Sequence, residues 1–304
     1  MDETYRRWLN RVEYPFALRE FDSGDGWINF VDEGDGHPVV FVHGCMTWSF
    51  LFRRTIESLS NTYRCIAPDH LGFGLSEKSQ TASYLPADHS RRFSSFMDHL
   101  GLAEVTLVVH DLGAAIALDW AAQNPDRVRN IVFLNSYLWD MSKNPLAAKL
   151  ALNYGHPLNR FYYKHIRATP SFVLPPLFAD RYRVARPILR QYLYPFDTHR
   201  DRIGLFSAVE GYRRDGEWFD DLALKMRNLQ DKRTLIVWGL KDPLHTEESL
   251  ERLQSLFPEA QTITFADTGR LLPEEKPEAL TGELTWFLMN STLPGMSLVD
   301  QLGG

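Results

Sequence analysis

One short stretch constrains this chain more than any other: Val108-Val109-His110-Asp111-Leu112-Gly113-Ala114. An apolar run from Val105 to Val109 leads into it. A segment of small residues, 113–123, with Ala114, Ala115, Ala117, Ala121 and Ala122, leads out. The first predicts a strand buried on both faces and the second a closely packed helix. A tight turn between such elements exposes one side chain beyond the C-terminal edge of a sheet, and here that side chain is Asp111. Gly113 and Ala114 allow helix and strand to approach there. A carboxylate in that position suits attack on a saturated electrophilic carbon, as in a carbon–halogen bond or an epoxide, and would become an ester. The competing reading of Asp111 is a helix N-cap.

Further runs keep the same rhythm. Strands are expected at 27–32, 39–42, 63–68, 130–134, 234–238 and 261–265, and helices at 86–100, ending before Gly101, and at about 277–290. The fold class is therefore α/β: a mostly parallel central sheet flanked by helices. Between about 137 and 228 the rhythm stops, and aromatics, arginines and prolines (Pro170, Pro175, Pro176, Pro187, Pro195) take over. This segment is expected to be an inserted helical cap, with 1–136 and 229–304 forming the core and the tail from Ser291 frayed.

With 304 residues, 44% of them hydrophobic, the chain can bury a large core without staples. A net charge of −6 and the lack of a long basic run argue against nucleic-acid or anionic-membrane partners. Cys45 and Cys65 lie in no metal-like spacing, which fits a reducing, cytoplasmic setting, and no signal peptide or membrane-length apolar run is read. No phosphate loop, dinucleotide fingerprint or metal cluster is found, so no cofactor is expected. The expected partner is a small-molecule substrate, with the chain a monomer or homodimer.

Three more segments bear on chemistry. In Phe41-Val42-His43-Gly44-Cys45-Met46-Thr47-Trp48-Ser49-Phe50, the loop after a strand is placed to supply one oxyanion-hole amide, from Cys45. The amide after the nucleophile, that of Leu112, would supply the second, with Trp48 lining the substrate site. The bland reading is an ordinary turn with a buried structural His43. Asp242, in Trp238-Gly239-Leu240-Lys241-Asp242-Pro243, is a carboxylate just past a late strand, in the place of a triad acid; the alternative is a turn aspartate before proline. In Thr268-Gly269-Arg270-Leu271, where the order nucleophile–acid–base requires a histidine, Arg270 stands instead.

With these segments in view, the chain resembles the haloalkane dehalogenase branch of the α/β-hydrolases, which also holds epoxide hydrolases, Renilla-type luciferase and β-lactone decarboxylases. The resemblance runs from Tyr14-Pro15-Phe16 to about Phe287 and includes Val31-Asp32-Glu33-Gly34, the His43-Gly44 loop, Ala67-Pro68-Asp69-His70-Leu71-Gly72-Phe73-Gly74-Leu75-Ser76, and Tyr194-Pro195-Phe196-Asp197. The Tyr-Pro-Phe start and the segment after Pro68 look nearest to the β-lactone decarboxylase-like members. The resemblance implies an Asp111 nucleophile, an Asp242 acid and an apolar substrate of halide, epoxide or β-lactone type. It also exposes three departures. Cys45 and Leu112 replace the usual halide donors Asn and Trp, and Arg270 replaces the usual histidine base. Arginine stays protonated at any working pH and accepts no proton.

Four readings of Arg270 follow. It pairs with Asp111 or Asp242 in a binding site without turnover. It clamps an anionic group of the substrate for non-hydrolytic chemistry, such as decarboxylation, elimination or rearrangement. Another histidine substitutes as base, with His245 the first candidate and His110 and His70 behind it. Or an original histidine has been changed to arginine to trap an intermediate. The preferred reading of His245 itself is a solvent-exposed residue at a helix start. Trp139, Trp218 and Phe161-Tyr162-Tyr163 are read mainly as packing, and the paired arginines at 6–7, 53–54, 91–92 and 213–214 as solvated faces.

Overall fold

The computed structural model describes residues 8–142, 144–149, 174–180, 184–205 and 215–290. Its strands are β1 (Arg19–Asp22), β2 (Trp27–Glu33), β3 (Pro38–Val42), β4 (Arg64–Pro68), β5 (Val105–Asp111), β6 (Val128–Ser136), β7 (Arg233–Gly239) and β8 (Gln261–Phe265). They form one eight-stranded sheet in the order β1-β2-β4-β3-β5-β6-β7-β8. The β1–β2 and β2–β4 pairs are antiparallel and the rest are parallel.

Strand β5 lies inside the sheet, and each of its residues is buried. Side chains alternate between the faces, so neighbouring residues feed two cores. Val40, Val42, Leu107 and Val109 join one, under helices α2 (Pro86–Leu100) and α3 (Leu112–Gln123). Val39, Phe41, Val108 and Val132 join the other, under α1 (Arg53–Leu59). Helix α3 is buried from Leu112 to Ala122, which is why its sequence is small and apolar all round rather than striped. Helix α2 ends at Gly101, in the left-handed conformation at φ 60° that glycine adopts without a Cβ clash.

Among the described residues of 137–228 there is no strand. They include α4 (Arg186–Leu193), α5 (Gly216–Lys225) and single-turn helices at Pro175–Leu177, Tyr194–Phe196 and Met226–Leu229. The expected aromatic stretch 161–163 and the tail from Ser291 lie outside the described residues. Helix α4 is tied to the core: the Gln191 side chain donates to the Trp8 carbonyl at 3.0 Å and accepts the Asn10 N–H at 3.0 Å. After β7 come α6 (Glu247–Leu256), α7 (Leu272–Glu275) and α8 (Pro277–Met289). No helix among the described residues is long and apolar enough to cross a membrane.

The sequence pattern overlooked β1 and α1, which are short or weakly patterned. It also misplaced two arginines. Arg54 and Arg91 are exposed, but Arg53 and Arg92 are buried. Adjacent helical residues point about 100° apart, so one member of each pair turns inward. Arg53 grips Glu274 through two nitrogens at 2.6 and 2.9 Å, and Arg92 Nε donates to Asp25 at 2.8 Å. A planar guanidinium can be buried when its fork is matched as that of Arg53 is.

Candidate active site

Asp111 ends β5 and precedes α3 with φ 52° and ψ −127°. For a residue other than glycine this conformation costs about 1–3 kcal/mol and persists only where the surroundings enforce it. Two glycines belong to those surroundings. A Cβ on Gly44 would overlap the Asp111 side chain, and one on Gly113 would overlap the Val42 carbonyl. The Asp111 carboxylate does not cap α3. Instead, Oδ2 accepts the Cys45 N–H at 2.8 Å, and Oδ1 meets His245 Nε2 at 2.8 Å with Arg270 Nη1 4.0 Å away. Burial alone would raise the pKa of this carboxyl. The His245 hydrogen bond and the Arg270 charge outweigh burial and hold it well below the usual carboxylate range.

Asp242 lies in the loop after β7, and Arg270 in the loop after β8. Arg270 donates to Asp242 through Nε, at 3.3 and 3.1 Å to the two oxygens, and through Nη2 at 3.0 Å. Asp242 also accepts the Leu244 N–H at 2.9 Å and Asn135 Nδ2 at 3.3 Å. Burial raises its pKa, but the net shift is downward because Arg270, and then His245, favour the ionised form. Arg270 is itself held by its backbone: its N–H donates to the Leu177 carbonyl at 2.9 Å, and its carbonyl accepts His110 Nε2–H at 3.0 Å.

The expectation that His245 faces solvent is overturned. Its side chain is fully buried, between Asp111 and the Tyr137 ring, which stacks on it at 5.3 Å and 26°. A position just before a helix looks exposed in sequence, but the β7 loop folds inward, and Trp238 Nε1–H donates to the His245 carbonyl at 3.1 Å. Sequence reading also passed over Asn135, at the end of β6. Its φ is 35°, its Oδ1 accepts the Gly239 N–H at 2.8 Å, and its Nδ2 donates to the Gly239 carbonyl at 3.0 Å as well as to Asp242. An asparagine at a strand end is a weak signal of such a left-handed position.

A family model described as alpha/beta hydrolase fold matches residues 37–277. The chain belongs to the alpha/beta hydrolase fold family. Within that family it falls in the haloalkane dehalogenase-like branch. It is 30% identical to haloalkane dehalogenase 2 of Mycobacterium tuberculosis over 275 residues, covering 89% of this chain and 94% of the relative. It is 29% identical over 288 residues to the cis-3-alkyl-4-alkyloxetan-2-one decarboxylase of Shewanella oneidensis, covering 90% and 89% of the two chains. Among solved structures, the haloalkane dehalogenase DatA of Agrobacterium tumefaciens aligns with a TM-score of 0.79 at 26% identity, covering 91% of this chain and 97% of that one.

The remaining candidate residues of this hydrolase-fold chain are placed as follows. Cys45 contributes its amide; burial, with Asp111 adding to it, pushes its thiol pKa far up, so the sulfur stays protonated. Leu112 opens α3 with its side chain in the core. Trp48 packs among Trp8, Tyr14 and Phe50, and its indole N–H is spent on the Gln191 carbonyl at 3.1 Å. His43 and His70 pin the Cys45 loop from behind. The His70 N–H donates to His43 Nε2 at 2.8 Å, and His70 Nε2–H returns a bond to the His43 carbonyl at 2.9 Å. His43 Nδ1–H donates to the Gly44 carbonyl at 2.8 Å. Burial pushes both imidazoles down, His70 to about 4, and that of His110 to about 4 as well, so all three are neutral supports.

Proposed function

We propose that this chain is an enzyme in which Asp111 attacks an electrophilic carbon of an apolar substrate, with residues 137–228 forming a cap over the site. Arg270 then restricts turnover to substrates whose covalent intermediate collapses without an activated water. The observation that carries this reading is the guanidinium at position 270, joined to Asp242 and 4.0 Å from Asp111 Oδ1, where the family resemblance calls for a base.

The chemistry separates the substrate classes. With a haloalkane, an Asp111 oxygen bonds to carbon and the halide leaves; with an epoxide, the ring oxygen leaves. Either way an ester remains, and its hydrolysis needs a water stripped of a proton. Arginine cannot take that proton, and losing a general base costs about 10²–10⁴-fold. A β-lactone behaves differently. Attack at the ring carbon bearing the ring oxygen breaks that carbon–oxygen bond and frees a carboxylate on the neighbouring carbon. Loss of CO₂ then sends the carbon–carbon electron pair into a double bond and expels Asp111 as carboxylate. The lactone becomes an alkene and CO₂, with no water consumed and no proton moved. A β-lactone is therefore the class that this site is expected to turn over, and the likeness to oxetanone decarboxylases supports it.

A second reading, a binding site without turnover, has one observation in its favour. Both His245 and Arg270 face Asp111 Oδ1, and charge-assisted contacts on that oxygen reduce its nucleophilicity. The test is to incubate the protein with haloalkanes, epoxides and β-lactones, follow intact mass, and assay alkene and CO₂. Stable adducts on Asp111 from the first two, with catalytic alkene formation from the third, are expected. No adduct and no substrate loss in any class would favour the binding reading. A cytoplasmic setting remains the accompanying expectation, consistent with two buried free thiols, Cys45 and Cys65.

A further inference from the structure

We infer that His245 serves this site as a hydrogen-bond donor to Asp111 and not as a substitute base: its Nε2–H holds Oδ1 and stabilises the Asp111 carboxylate as it is expelled from the covalent intermediate. This rests on the reading of Asp111 as nucleophile.

The hydrogen-bond inventory leads to this role. An ionised carboxylate only accepts, so at 2.8 Å from Asp111 Oδ1 the His245 Nε2 must carry a hydrogen. In the neutral ring this leaves the lone pair on Nδ1. That nitrogen is buried and has no hydrogen-bond partner among the described residues. To act as a base towards a water near Asp111, the ring would need the opposite tautomer, with its lone pair on Nε2 and its hydrogen on Nδ1. Taking a proton would then leave a buried, unpartnered Nδ1–H on a cation. A histidine base ordinarily has a carboxylate behind its Nδ1–H to orient the ring and stabilise the imidazolium. Here the available carboxylate, Asp242, is occupied by Arg270, Asn135 and the Leu244 amide. Tyr137 stacks on the ring, which has no exposed surface, so solvent cannot serve Nδ1 in place of a carboxylate.

A donor is also what the proposed reaction can use. Cys45 N–H holds Oδ2, so Oδ1 is the oxygen placed to bond carbon. A donor on Oδ1 slows its attack but favours its departure with the bonding pair. That balance suits a reaction in which Asp111 is the leaving group of the second step, whereas a donor supplies no acceptor for the proton of the water that hydrolysis needs.

The test has two arms. In the first, nitrogen-15 NMR of the imidazoles in the full-length protein, with His245 assigned by comparison with His245→Gln, reports its tautomer without any substrate. A protonated Nε2, an unprotonated Nδ1 and loss of the Nε2–H signal in Asp111→Asn are expected. A proton on Nδ1 would overturn the inference. In the second, β-lactone turnover is compared in His245→Gln, whose amide N–H can replace the donor but cannot act as a base, and in His245→Leu. His245→Gln is expected to stay within about fivefold of wild type, while His245→Leu loses about 10²–10³-fold, the usual effect of removing a donor from a reacting oxygen, and accumulates the Asp111 adduct. Equal loss in both variants, or no loss in His245→Leu, would overturn the donor role. If wild type forms neither adduct nor product, the Asp111 reading fails instead, and the NMR arm still decides whether His245 is a donor or not.

Discussion

The half of the site built on β3 and β5 and the half built on β7 and β8 are made by different means. The first is backbone work: a strained Asp111, two glycines that permit close approach, and the Cys45 amide on Oδ2. The second is side-chain work: Asp242 bridged by Arg270, Asn135 clamped across Gly239, and His245 buried against Asp111. A backbone amide survives any change of its side chain, so the first half keeps its geometry with Cys45 in place of asparagine. A charged side chain defines its surroundings, so one arginine rewrites the second half.

Changes on each side should therefore differ in kind. The largest effect is expected from Asp111→Asn, which leaves the backbone intact but removes the proposed nucleophile. Adduct formation should fall roughly 10⁴-fold or more, followed by intact mass; a persisting adduct would place the chemistry elsewhere. Next, Arg270→His should restore a proton acceptor beside Asp242 and raise release of alcohol from a haloalkane adduct by about 10²–10⁴-fold in single-turnover assays. Unchanged release would mean that the second half lacks more than a base.

Gly44→Ala should push Asp111 aside and cost roughly 10²-fold in adduct rate, since misplacement by about 1 Å costs that much; a crystal structure of the variant would show the displaced carboxylate. Cys45→Ala keeps the amide and should change the adduct rate by no more than about threefold. A large loss there would show that the thiol matters and would erase the contrast between the halves.

The smallest expected effect is that of pH. The Asp111 carboxyl is held well below its usual range, so adduct formation with a haloalkane should not decline as pH falls from neutral towards 4. The same depression, shared by Asp242, carries a stability sign. Each contributes stability that is present above its unfolded pKa and lost only as pH falls through the lower folded value. Carbon-13 NMR of the carboxyl groups should then show these two resisting protonation until strongly acidic pH. A carboxyl of either residue titrating near pH 5 in that experiment would contradict its tight pairing.

Much of the fold was legible because parallel strands buried on both faces must be continuously apolar. Residues 105–109 and 234–238 announce themselves, as does the helix stopped at Gly101. The short edge strand β1 is mostly exposed and carries no such pattern. The elbow at Asp111 was legible for a related reason. Strand, turn and small-residue helix are contiguous, and local spacing alone dictates which side chain stands above the sheet.

The sequence by itself determined the buried parallel strands, the elbow and the identity of the residue at position 270, because each depends on neighbours a few positions away. Only the tertiary structure decided which groups meet. His245 and Asp111 are 134 positions apart, and Asn135 and Asp242 are 107 apart. Their contacts arise because parallel strands deliver all their C-terminal loops to one edge of the sheet. Whether a loop histidine faces water or a carboxylate depends on what the other loops leave uncovered, and no local pattern encodes that.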